Sequence, residues 1–102
     1  TLKALLRDEP DLDIVVFAND DMAIGGYFHC MAAGIALKDE LGLFGFNGLS
    51  IGQDLPLPLS TVRSNRFLIG KTAVERLLDK FGTSDGLRII DTGYEIIEGA
   101  TA

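Results

Sequence analysis

The sequence predicts an α/β fold built on a parallel sheet with flanking helices, and three observations carry that prediction. The run Ile14-Val15-Val16-Phe17-Ala18 is short, β-branched and apolar at every position, the pattern of a strand buried on both faces of a parallel sheet. A helical stretch from Met22 to Ala33 comes next, and a second apolar strand at Leu43-Phe44-Gly45-Phe46 comes after it. Strand, helix and strand within about 35 residues make a βαβ unit, whose right-handed crossover sets the two strands parallel.

Each element has a local reason. Thr1 to Arg7 reads as the last turns of a helix belonging to a larger body, ended ahead of Pro10. Asn19-Asp20-Asp21 supplies N-cap chemistry for the helix that follows, and Gly34 stops it. The stretch from Gly48 to Leu59 holds two prolines and two glycines with little periodicity, so it reads as a loop before a short strand at Ser60-Thr61-Val62. A second helix begins at Ser64 or Asn65. Its apolar positions Phe67, Gly70, Val74, Leu77, Leu78 and Phe81 keep helical spacing, Lys71 and Glu75 form an i,i+4 pair, and Gly82 closes it. A linker at 83–86 leads to two further strands, Leu87-Arg88-Ile89-Ile90 and Tyr94-Glu95-Ile96-Ile97.

With 102 residues the chain is one domain at most and buries a modest core, as expected of a fragment. Its net charge of −6 argues against contact with nucleic acid, which needs clustered Lys and Arg to displace counterions. No apolar run approaches the roughly 20 residues of a membrane span, and no signal-peptide pattern opens the sequence, so no membrane partner is expected. The single cysteine, Cys30, excludes an internal disulfide.

Ligands of open parallel sheets bind outside the carboxyl ends of the strands. That rule selects Asn19, after the first strand, and Asn47, after the second. Adjacent strands lie about 5 Å apart, so two amides there could share a polyol or sugar acid, each offering donor and acceptor to hydroxyl groups. Equally, Asn19 and Asp20 serve as helix caps and Asn47-Gly48 as a turn, and the two roles do not exclude each other. Nothing catalytic assembles, and no enzyme activity is expected. His29 lies alone in an apolar helix, Cys30 has no histidine partner, and no metal-ligand spacing occurs. Asp20-Asp21 could hold Mg²⁺, but paired acids at a helix start are usually dipole-favoured caps; neither a metal nor a cofactor is expected. The helix from Met22 to Ala33 leaves almost no polar face, and Gly25-Gly26 suits close approach of another backbone, so a missing domain or a second subunit is expected to cover it, the alternative being an ordinary core helix of a two-layer fold.

Four blocks carry a family resemblance. Ala18-Asn19-Asp20-Asp21-Met22-Ala23-Ile24-Gly25, Gly45-Phe46-Asn47-Gly48, Pro58-Leu59-Ser60-Thr61-Val62-Arg63 and the closing Gly99-Ala100-Thr101-Ala102 occur in the order and spacing of the lactose/galactose repressor family of bacterial transcriptional regulators. Within it the sequence looks like the gluconate-utilisation repressors. The resemblance implies a periplasmic-binding-protein-like (type I) fold of two α/β subdomains with a sugar or nucleobase effector in the cleft between them. It implies a cytoplasmic homodimer that touches operator DNA only through an N-terminal headpiece absent from this chain. Residues 1–63 would form the C-terminal effector-binding subdomain, 64–92 a crossover helix and strand completing the missing N-terminal subdomain, and 93–102 a returning strand and tail.

Carried over residue by residue, the resemblance places Asn19 and Asn47 on effector contacts. Ser64 stands where the family has a glutamine of the cleft. The helix bearing Met22, Ala23, Gly26, Tyr27 and Cys30, together with Leu55, falls on the family's dimer interface. Most members have Asp at position 47. A carboxylate about 4 Å from a ligand carboxylate would cost roughly 4 kcal/mol at an effective dielectric near 20, so a neutral Asn47 points to a sugar-acid effector such as gluconate. The competing expectations are the C-terminal lobe of a periplasmic sugar-binding receptor and an α/β enzyme fragment with a metal at Asp20 or Asp21.

Overall fold

A computed structural model describes residues 1–80 and 89–102. The elements run α1 (Leu2–Asp8), β1 (Ile14–Val16), α2 (Asp20–Ala33), β2 (Gly42–Asn47), α3 (Ser50–Gln53), β3 (Ser60–Ser64), α4 (Arg66–Lys80) and β4 (Tyr94–Ile97). The strands form one sheet in the order β1-β2-β3-β4. β1 pairs parallel with β2, Val15 opposite Leu43, and β2 pairs parallel with β3, Phe44 opposite Ser60 and Asn47 opposite Arg63. The chain divides into two compact units, one of residues 1–63 with 95–102 and one of residues 64–94.

In the first unit α2 organises the core. Asn19 caps its start, its side-chain oxygen accepting from the Met22 amide at 2.9 Å. Gly34, at φ 70°, ends it in a left-handed turn in which the Gly34 amide donates to the Met31 carbonyl and the Ile35 amide to that of Cys30, a Schellman motif. Ala23, Ile24, Tyr27 and Cys30 are buried with Leu41, Leu43 and Leu59, and Val15, Phe17 and Leu55 pack around them. Burial pushes the Cys30 thiol above its ordinary pKa, so it stays protonated and behaves as a small hydrophobe.

The closing residues bind the sheet at the amino ends of its strands. The buried Thr101 hydroxyl donates to the Leu43 carbonyl at 2.8 Å and accepts from the Ser60 amide at 2.9 Å, while the Leu43 amide donates to the Thr101 carbonyl at 2.7 Å. Gly99 passes so close to the Pro58 carbonyl that a Cβ there would overlap it. The second unit holds α4, with the Asn65 side chain accepting from the Leu68 amide at 3.0 Å as its N-cap and Lys71 and Glu75 3.8 Å apart.

Several expectations are corrected. β1 is not buried on both faces: it is the edge strand, Val15 packs inward, and Val16 on the opposite face is 68% exposed. The segment read as a plain loop contains the single helical turn α3, too short to create a period. Within the chain, Gly26 is approached closely by the Phe17 ring, whose Cζ would lie 2.7 Å from a Cβ, and Gly25 has no neighbour within 4 Å of a Cβ position. Ile89 and Ile90 have no strand structure, and Phe81, Gly82 and the rest of 81–88 lie outside the described residues.

Candidate functional site at the carboxyl ends of the strands

Three parallel strands end on the same edge of the sheet. Phe17, just past β1, donates its amide to the Phe44 carbonyl at 2.8 Å, so the chain leaves the sheet beside β2 and reaches Asn19 two residues on. Asn47 ends β2, opposite Arg63, and Ser64 is the last residue of β3. The strand-end rule thus puts Asn19 and Asn47 on one rim.

Their side chains are in different states. Asn19 is half-buried, and its carbonyl oxygen caps α2, which leaves the amide nitrogen to donate outward. Helix capping therefore occupies only the oxygen of this side chain. Asn47 is half-buried at φ 112°, a region non-glycine residues rarely adopt, and its side chain bonds to none of the described residues. Gly48 follows at φ 68°, and a Cβ there would press on the Arg63 side chain and backbone at 2.7 to 2.9 Å. Backbone strain of this kind costs about 1–3 kcal/mol and persists only where the surroundings enforce it. The Arg63 guanidinium lies 3.6 Å from the Glu95 carboxylate, an exposed pair.

Directly after Asn19 stands Asp20, expected from the sequence as a helix cap rather than a metal ligand. It is fully buried. One carboxylate oxygen accepts from the Thr61 hydroxyl and the other from the Leu49 amide, both at 2.6 Å. Both oxygens are thus committed to hydrogen bonds, and Asp21 beside it is exposed. Gly45 makes room, because a Cβ there would overlap an Asp20 oxygen. A glycine in the middle of an apolar strand, with an acid at the start of the preceding helix, was the available signal.

The residues expected at a subunit interface separate by burial. Ala23, Gly26, Tyr27 and Cys30 are buried in the first unit's own core, and Leu55 is half-buried against it. Tyr27 also accepts the Leu57 amide on its hydroxyl at 3.1 Å. Met22 is exposed, as are Phe28 and Met31, which the sequence reading did not single out. The βαβ geometry decides this, since the side of α2 that meets β1 and β2 cannot also meet a partner.

Parallel strands ending together on polar side chains are the layout with which open α/β sheets hold small molecules. The sequence matches the periplasmic binding protein-like domain family over residues 1–101. It is 37% identical over 102 residues to the HTH-type transcriptional regulator IdnR of Escherichia coli (strain K12), covering 95% of this chain and 31% of that protein. The lactose operon repressor of Rhizobium radiobacter is 36% identical over 100 residues, covering 98% of this chain and 88% of that sequence. A LacI family transcriptional regulator from Silicibacter pomeroyi has the same fold, with a TM-score of 0.85 over 97% of this chain and 35% of that one at 19% identity. The chain belongs to the periplasmic binding protein-like domain family, among the LacI-type regulators. It spans about a third of the length of IdnR, and these relatives are transcriptional regulators, not enzymes. No helix among the described residues is long and apolar enough to cross a membrane.

Proposed function

We propose that this chain is the effector-sensing and dimerisation part of a cytoplasmic bacterial transcriptional repressor that responds to a sugar acid of the gluconate type. The observation that carries the reading is Asn47: a neutral amide at a strained strand end, free of bonds to the described residues, with a second amide, Asn19, just past the end of the neighbouring parallel strand. A side chain kept in that backbone conformation without a partner among the described residues is suited to an external one. Its lack of charge suits an anionic ligand, because no carboxylate stands at that position to repel one. DNA contact belongs to a headpiece outside these residues, consistent with the net charge of −6.

The homodimer would form through the outer side of α2. Of the residues first expected there, Met22 remains available, joined by the exposed Phe28 and Met31, while Ala23, Gly26, Tyr27 and Cys30 support the helix from behind. Ser64 and Leu55 stay as second-rank candidates for the effector and the dimer contact.

The test is Asn47→Asp in the full-length protein. Calorimetry is expected to show gluconate binding weakened by at least tenfold while glucose, which has no carboxylate, is much less affected, since about 4 kcal/mol of repulsion is at stake. Equal gluconate affinity in both proteins overturns the sugar-acid assignment.

A further inference from the structure

We propose that Asp20 and Thr61 form the positioning element of the effector rim: they hold Asn19 and Asn47 in binding geometry without themselves touching the ligand. The proposal rests on the reading of that rim as the effector site.

The first ground is connectivity. Asp20 follows Asn19 directly in the chain. Its Oδ2 accepts from the amide of Leu49, two residues after Asn47, and its Oδ1 accepts from the hydroxyl of Thr61 in β3. One buried carboxylate therefore ties the segments leaving β1 and β2 to the interior of β3. The second ground is strain. Asn47 and Gly48 are consecutive left-handed residues, and the next backbone amide is the one fastened to Asp20. Releasing that amide would let 47–49 relax towards an ordinary turn and move the Asn47 side chain off the rim.

The third ground is the choice of chemistry. Burying a carboxylate carries a desolvation penalty of several kcal/mol, which good hydrogen bonds only offset, and an apolar contact would hold two segments together at least as firmly. Hydrogen bonds add direction. Two bonds of 2.6 Å to one rigid carboxylate fix an angle as well as a distance, which is the requirement for two amides that must meet one ligand. Gly45 belongs to the same arrangement, since the strand position register-paired with Thr61 has no side chain and thereby admits the carboxylate.

The decisive variants, made in the full-length protein, are Thr61→Val, which removes the hydroxyl donor at equal volume, and Thr61→Ser, which restores it. The probe is D-gluconate in calorimetry, alongside amide hydrogen exchange of the 47–49 segment and the thermal midpoint. Thr61→Val is expected to bind gluconate roughly tenfold more weakly, the size of one lost hydrogen bond to a charged group, and to exchange faster at 47–49. Thr61→Ser is expected to recover both. A merely structural role would lower the midpoint without a selective loss of affinity or a serine rescue.

If Thr61→Val does not fold, Asp20→Asn is measured in its place; it keeps the shape, replaces one acceptor oxygen with an amide, and is expected to move affinity and exchange the same way. Unchanged exchange at 47–49 in the folded variant, or unchanged affinity with faster exchange, overturns the proposal. A parent protein that binds no gluconate, with exchange still raised in Thr61→Val and recovered in Thr61→Ser, supports the positioning role and overturns only the choice of effector.

Discussion

Helices α2 and α4 are nearly equal in length, 14 and 15 residues, and opposite in what they bury. α2 has apolar residues around most of its circumference and buries six of its residues, with Tyr27 only 2% exposed. α4 has the cleaner helical pattern, yet none of its described residues is buried and Phe67 is 81% exposed. The difference teaches that an apolar pattern says which side chains need cover, and not where the cover comes from. For α2 it comes from β1 and β2, the strands directly before and after it, because a right-handed βαβ crossover folds the helix back onto its own strands.

Truncating the buried side of α2 should have the largest effect. Tyr27→Ala is expected to cost about 3–5 kcal/mol in urea unfolding, since it empties a large fully packed site. A loss below about 1 kcal/mol would mean that α2 is not the centre of the first unit. Next comes Tyr27→Phe, expected to cost about 1 kcal/mol, because the ring stays and the Leu57 amide loses its acceptor. Smallest is Phe67→Ala in the 102-residue chain, expected to change stability by less than about 0.5 kcal/mol, as for an exposed site without a special role. A cost comparable to that of Tyr27→Ala would break the contrast and show that α4 is covered in solution.

Much of this was legible in the residues. The Asn19 cap, the Gly34 stop and the Lys71–Glu75 pair are local features with local causes and appear where the pattern put them, and the strand expected over 14–18 forms over 14–16. The rim was legible too, because parallel strands joined by a helix must end on the same edge. Less was legible of the interface side of α2. A helix apolar all round gives no direction, so Ala23, Gly26, Tyr27 and Cys30 looked available to a partner until the strands claimed them. The role of Asp20 was hidden for a related reason: its two partners lie 29 and 41 residues away, and neither spacing is a motif.

The sequence by itself determined the class of fold, the family and the two asparagines at the strand ends, since all of these follow from short-range pattern and order along the chain. Only the tertiary structure decided which face of α2 is core, that Asn47 sits in a left-handed backbone with no side-chain partner among the described residues, and that Asp20 accepts from Thr61 and Leu49. Those facts depend on which segments meet in space, and a buried hydrogen bond between distant residues leaves no period or spacing in the sequence.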